Sequence, residues 1–273
     1  MKHIDSDECH NILLSLAFVF DEICKRHQIP YFMLNGTMLG AVRHQGFIPW
    51  DDDMDFGVER KYFPELIKAL SEELPAYLKV NTLENSDYVF SNFLKIEDTR
   101  TEVVEHWYDN ARGIGIWIDI FPLDHGCANY WLTTLFAACI FCLLMIKDYL
   151  YYDPKFRKGF KKWIAIIVCK INLISIKKRL RYIDKLISRH TKEKSGYLVN
   201  YYGRLRKKGI IPKKIFGSPK AYPFENLILT GVEHADTYLS ALYGNYMQMP
   251  TKDKQAKHTL GMYYKSVIQQ EQE

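Results

Sequence analysis

Between Asp51 and Asp55 the chain places four aspartates in five positions, in the stretch WDDDMDF. Like charges this close repel one another, and a cation among them removes the penalty. Asp53 and Asp55 are two residues apart at the start of an apolar run, Met54 to Val58, that reads as a strand. Side chains at i and i+2 leave the same face of a strand, with Cα atoms about 6.5–7 Å apart. Two carboxylates so placed share a divalent cation, and Mg²⁺ takes one or two carboxylates while water and phosphate fill its other positions. A third carboxylate on a neighbouring strand completes the set. Asp119 is the candidate, because it interrupts the apolar stretch GIWIDIF, where an unpaired charge is expensive.

Upstream lies Gly36-Thr37, a turn that opens a short helix expected from Met38 to about Arg43. The backbone N–H groups of a helix N-terminus and a Thr hydroxyl together suit an anion, and Arg43 and His44 add donors matched to phosphate oxygens. A phosphate cradle followed by metal-binding carboxylates describes a nucleotidyltransferase-type active site, in which a metal neutralises charge as the bond to the leaving nucleotide breaks. Each part has a plainer reading. A Gly-Thr pair is a turn, Asp51 and Asp52 belong to an exposed acidic loop, and Arg43 pairs with an aspartate. The order of the parts carries the argument.

Positioning these residues needs several elements. A helix is expected from about Asp7 to His27, with Ile12, Leu13, Leu16, Val19, Phe20, Ile23 and Cys24 at helical spacing and Asp5 with Glu8 as a capping box. Pro30 ends it. Strands are expected at Tyr31–Leu34, Met54–Val58, Leu78–Leu83, Val89–Ile96, Glu102–His106 and Ile114–Phe121, and helices at Lys61–Leu74 and Ala235–Tyr243. In Ile114–Phe121 the isoleucines 114, 116, 118 and 120 face one way, and Gly115, Trp117, Asp119 and Phe121 the other.

The composition, 48% apolar and 25% charged, is that of a globular chain rather than a disordered one. The acidic, polar start MKHIDSDECH leads to the expectation of no secretory signal, and six scattered cysteines to buried thiols in a reducing compartment, the Cys139-x-x-Cys142 pair included. Charge is uneven. Residues 153–220 hold 21 Lys/Arg against 3 Asp/Glu and the remainder 16 against 29, so local balances of +18 and −13 combine to a formal +5. A basic segment on an acidic body suits an anionic membrane surface. Beside it, Gly126–Ile146 runs 21 residues without a charge, long enough for a membrane span, although Asn129, Thr133 and Thr134 weaken that reading. Trp163–Ile176 is apolar but too short to span. The plainer reading is a helical insertion packed on the sheet.

The stretch GTMLGAVRHQGFIPWDDDMD resembles the signature of the LicD family of phosphocholine transferases, also found in fukutin-related proteins. WIDIFPLD, Trp117 to Asp124, is similar to that family's third-carboxylate strand, and YGNYMQMP with the following His258 to its closing element. The middle, from about Gly126 to Phe216, matches no named pattern. The resemblance implies a nucleotidyltransferase-type α/β (α+β) fold, a mixed sheet flanked by helices. Its parts would be a catalytic core over 1–125, a helical basic and apolar insertion over 126–215, and a C-terminal element over 216–273 packing back on the core. If that element returns to the core, an odd number of membrane spans is excluded. The resemblance implies a Mg²⁺ (or Mn²⁺) cofactor held by Asp53, Asp55 and Asp119, the last also a base. Gly36, Thr37, Arg43 and His44 would contact phosphate. Trp50 would pack behind the loop or stack on the donor, and Tyr243 and His258 would add contacts near the chain's end. The donor would be a CDP-alcohol such as CDP-choline, the acceptor a hydroxyl of a cell-surface glycan or its lipid-linked precursor, and the product CMP. No nucleic-acid partner is expected, and the location would be cytoplasmic, peripheral at the inner face of the cell membrane. Two other readings stand beside it: transfer of a nucleoside monophosphate to a small molecule, and an inactive scaffold of a glycan-assembly complex.

Overall fold

A computed structural model describes residues 2–86, 92–104, 114–151, 159–171, 175–190, 195–203, 205–251, 255 and 261–265. After a two-residue strand β1 (Lys2–His3), helix α1 (Ser6–Arg26) begins at Asp5 with the expected capping box: the Asp5 carboxylate accepts from Glu8 N–H, and the Glu8 side chain reaches back to Asp5 N–H. One stripe of α1 lies against the sheet, where Phe20 meets the rings of Tyr31 and Phe56 at 4.9 and 5.0 Å. Strand β2 (Tyr31–Met33) leads into α2 (Asn35–Arg43), then β3 (Asp55–Glu59), α3 (Phe63–Glu73), β4 (Leu78–Asn81), β5 (Leu94–Asp98), β6 (Thr101–Val104) and β7 (Trp117–His125).

Three differences from the sequence reading concern boundaries. Helix α2 begins at Asn35, three residues before the expected start at Met38, so Gly36 and Thr37 sit in its first turn. Strand β3 begins at Asp55, leaving Asp53 in the preceding loop, because ladder pairing to β2 starts only after that point. Strand β7 starts at Trp117, and Ile114 makes only an isolated bridge to Val103. Residues 89–91, 105 and 106 of the expected strands lie outside the described residues.

Helices α4 (Tyr130–Tyr151), α5 (Phe160–Ile171) and α6 (Ile176–His190) follow, then β8 (Tyr197–Val199), β9 (Ile210–Pro212), α7 (Lys213–Phe216), β10 (Lys220–Phe224), β11 (Leu227–Gly231), α8 (Ala235–Tyr243) and β12 (Gly261–Tyr264). The segment 126–215 is therefore not wholly helical. Its β8 pairs with the C-terminal end of β7, and β9 pairs with β8. The main mixed sheet runs β10-β11-β2-β3-β7-β5-β4, and a small sheet β1-β12-β6 lies apart. Strand β11 pairs in parallel with β2 at Gly231 and Met33, so the C-terminal part of the chain enters the same sheet as the N-terminal part. Strand β3 is central, antiparallel to β2 and parallel to β7.

Of the thiols expected to be buried, Cys9 and Cys24 are buried and Cys127 is half-buried, while Cys139 and Cys142 are exposed on α4. Their apolar neighbours predicted burial, but the helix turns that face outward.

Candidate active site

The site lies at the end of the sheet where β3 and β7 begin. The parallel register sets Asp55 directly beside Asp119, so their side chains leave the same face of neighbouring strands. Hydrogen bonds fix that alignment: Asp119 N–H donates to Met54 O at 2.9 Å, and Leu34 N–H to Asp55 O at 2.9 Å. Burial, followed by the charges of Asp53 and Asp119, holds the Asp55 carboxyl well above the usual carboxylate range, while the Asn35 amide opposes the shift. Asn35 Nδ2 donates to Asp55 Oδ2 at 2.8 Å. To do so Asn35 adopts a left-handed backbone with φ of 45°, a conformation Asn tolerates better than most residues. Thr37 Oγ1 accepts from Asp55 N–H at 2.8 Å, tying the first turn of α2 to the start of β3.

Asp51 also belongs to the cluster. A Cβ on Gly36 would lie 2.5 Å from Asp51 Oδ2, so the missing side chain of Gly36 lets a carboxylate approach the helix start. The position where an anion was expected thus faces an aspartate of the chain's own. The loop carrying Asp51 is held from three directions. The His10 ring stacks on Phe47 at 3.9 Å, and its Nε2 lies 2.8 Å from Asp51 O. Phe47 N–H donates to Glu225 Oε1 at 3.0 Å, and Glu225 N–H to Gln45 O at 2.7 Å. Gly46 N–H reaches back to Gly40 O. Beneath the loop, burial and then Asp52 and Asp53 push the Cys9 thiol up to about 12, which keeps it neutral.

On the far side of Asp119 stands Lys95, in register with it on β5, its Nζ 2.5 Å from Asp119 Oδ1. The ammonium also lies over Trp117 at 4.2 Å and Phe93 at 5.2 Å from the ring centroids. Those two aromatic faces are thus already occupied by a cation. Among the described residues no three His, Cys, Asp or Glu side chains form a finished metal shell. The donor set still fits a hard divalent cation. It consists of carboxylates near neighbouring strand starts, one of them, Asp55, half-buried and pushed up by desolvation and then by the charges of Asp53 and Asp119.

The C-terminal part of the chain closes over α2. Arg43 Nη1 donates to Tyr246 O at 2.7 Å, so this guanidinium anchors the YGNY segment. Tyr238 Oη accepts from Asn35 N–H at 3.4 Å. Burial and then Tyr238, Asp55, Asp51 and Asp53 raise the Tyr243 hydroxyl pKa, which sets this tyrosine within the field of the carboxylates. His44 lies beside Arg43, and burial first, then that charge, lowers its pKa. Trp50 packs half-buried against the core. His258 lies outside the described residues. Asn35, Lys95, Glu225, His10 and Tyr238 escaped the sequence reading. Asn35 adjoins the Gly36-Thr37 motif, and Lys95 breaks the apolar pattern of FLKI, but the other three carry no local signal.

A mixed sheet that sets aspartates near the starts of two parallel strands, beside a helix whose first turn holds a Gly-Thr pair, is the arrangement expected of a nucleotidyltransferase-type site. Residues 28–134 match the LicD/FKTN/FKRP nucleotidyltransferase domain. Over 97% of its length the chain is 24% identical to the lipopolysaccharide cholinephosphotransferase LicD of Haemophilus influenzae, 99% of which is covered. Two uncharacterized proteins, from Rickettsia prowazekii and Rickettsia typhi, are each 54% identical over 37 residues, which is 14% of this chain and 14% and 12% of theirs.

Proposed function

We propose that the protein is a transferase that moves a phospho-alcohol group, phosphocholine first among them, from a CDP-alcohol to a hydroxyl of a cell-surface glycan or its lipid-linked precursor. The observation that carries this reading is the register of Asp55 beside Asp119, with Asp53 adjacent, inside the segment that matches the LicD/FKTN/FKRP nucleotidyltransferase domain. The near full-length similarity to a protein named as a lipopolysaccharide cholinephosphotransferase supports a glycan acceptor. In the reaction the acceptor oxygen forms a bond to the phosphorus that carries the alcohol. The bond from that phosphorus to the bridging oxygen breaks, CMP leaves, and the hydroxyl proton passes to a carboxylate.

Asp53, Asp55 and Asp119 would hold a divalent cation, Mg²⁺ or Mn²⁺, which supplies charge neutralisation at the pyrophosphate. The chain's own residues do the rest. Asn35 aims the Asp55 carboxylate, and Lys95 aims that of Asp119. Asp119 is placed to accept the hydroxyl proton, as the second role of its carboxylate. The loop held by His10 and Glu225 would position Asp51 and Asp53 beside the carboxylates of β3 and β7.

CMP release from CDP-choline, CDP-ribitol and CDP-glycerol, with Mg²⁺ or EDTA, tests the proposal. Slow Mg²⁺-dependent hydrolysis of one donor is expected, with Asp53→Asn and Asp55→Asn each lowering it by about a hundredfold or more. Pyrophosphate release from a nucleoside triphosphate would instead support transfer of a nucleoside monophosphate. No cytidine-nucleotide binding by calorimetry would end the CDP-alcohol assignment.

A further inference from the structure

Helix α4 presents a continuous uncharged face to solvent. Trp131, Leu135, Cys139, Cys142 and Ile146 follow one another at three- and four-residue steps, and all are exposed. Trp131 is 81% exposed and Leu135 70%. The opposite side, with Thr133, Ile140 and Lys147, is buried. Helix α5, which packs against α4, repeats the pattern: Phe160, Trp163 and Ile167 are 79, 66 and 53% exposed at spacings of three and four. Large apolar side chains on two adjacent helices are too many to leave in water without a partner.

The partner is identified by charge. Helix α6 packs on α4 and buries Leu180, Ile183 and Ile187, while Lys178, Tyr182, Lys185 and Arg189 stand exposed along one outer face. They belong to the segment with a local balance of +18. Apolar and aromatic side chains beside a row of cations are the composition of a surface that lies in the headgroup region of an anionic bilayer. A second copy of this chain fits poorly, because it would bring the same basic row to the contact. We infer that α4, α5 and the outer face of α6 form a docking surface for an anionic membrane, with Trp131, Leu135, Trp163 and Ile167 entering the interface and Lys178, Lys185 and Arg189 meeting lipid phosphates. The inference rests on exposure and charge alone and stands whatever group the carboxylate site transfers.

Sedimentation of the full chain with vesicles is the test, using phosphatidylcholine alone or mixed with phosphatidylglycerol. Binding to the anionic vesicles is expected to be at least about tenfold tighter and to fall with salt. Lys178→Glu/Lys185→Glu/Arg189→Glu should lose that about tenfold preference. Trp131→Ser/Trp163→Ser should lose binding to both vesicle types, with circular dichroism and elution volume unchanged. In the wild type, vesicles should also protect Cys139 and Cys142 from a thiol reagent. Absence of binding to anionic vesicles, or binding untouched by both sets of substitutions, would overturn the inference. So would a wild-type dimer that Trp131→Ser/Trp163→Ser converts to monomer, which would make a second copy the partner. Resistance of the membrane-bound protein to alkaline carbonate extraction would replace surface docking with insertion of α4.

Discussion

Lys95 is the side chain that most changes the picture of the carboxylate cluster. Its ammonium answers Asp119 before any metal does, and both side chains are largely buried, at 7 and 14% exposure. Removing one partner of such a pair leaves a buried charge uncompensated, at a cost of about 3–5 kcal/mol. Lys95→Met is therefore expected to lower the urea midpoint markedly in EDTA. Mg²⁺ should restore more stability to the variant than it adds to the wild type, since it supplies the missing cation. Equal Mg²⁺ shifts in both proteins would show that Lys95 and the cation answer different charges. His44 gives a pH signature. Burial and the neighbouring Arg43 lower its pKa, so the folded state binds fewer protons than the unfolded chain in the window just below the unperturbed value of 6.5. Its contribution is present above that window and is lost as pH falls through it. The urea midpoint of the wild type should thus fall more steeply than that of His44→Gln between neutral and mildly acid pH.

At the scale of elements, the first turn of α2 and the loop after it form one unit. Gly→Ala within a helix ordinarily stabilises by up to about 1 kcal/mol. At Gly40 the sign should reverse. A Cβ there would lie 2.4 Å from Gly46 O, and the backbone of the loop cannot step aside without moving Asp51. Gly40→Ala is expected to destabilise by about 1–3 kcal/mol by denaturant unfolding, and to lower CMP release as well. An increase in stability would mean that the loop accommodates the methyl group and does not position the aspartates. The β10–β11 turn acts on the same loop through Glu225, whose own φ of 52° brings its side chain to Phe47 N–H.

Across the whole molecule, the helical segment is latched to the sheet by a partly buried charge network centred on the buried Asp124. Arg60, just after β3, binds both oxygens of Asp124 on β7 and reaches Asp184 on α6 at 2.8 Å, and Tyr202 donates to the same Asp184 oxygen at 2.9 Å. Burial raises the Asp124 pKa even with Arg60 opposing it, in keeping with a carboxyl that is only 1% exposed. Arg60→Met should cost about 3–5 kcal/mol, and Arg60→Met/Asp124→Leu should recover a substantial part, because both buried charges are then gone. A double variant no more stable than the single one would mean that α6 depends on the pair for its placement. That placement matters beyond stability, since α6 carries the basic row beside the apolar face of α4.

The sequence by itself determined what depends on neighbours in the chain. The capping box of α1, the alternation in β7, the helix at Ala235–Tyr243 and the crowding of Asp51, Asp52, Asp53 and Asp55 are all local, because backbone periodicity and charge repulsion act over a few residues. Asp119 was legible for the same reason: a charge in an apolar strand announces that something must answer it. What answers it was not legible. Strand register decided that Asp55 stands beside Asp119 and that Lys95 stands on its other side. Chain return decided that Tyr246 meets Arg43 on α2 and that Glu225 meets the N-terminal loop. Spacing shows which side chains share a face of α4, but not whether that face is covered. Cys139 and Cys142 therefore read as buried, whereas the tertiary packing turned their side of the helix to solvent.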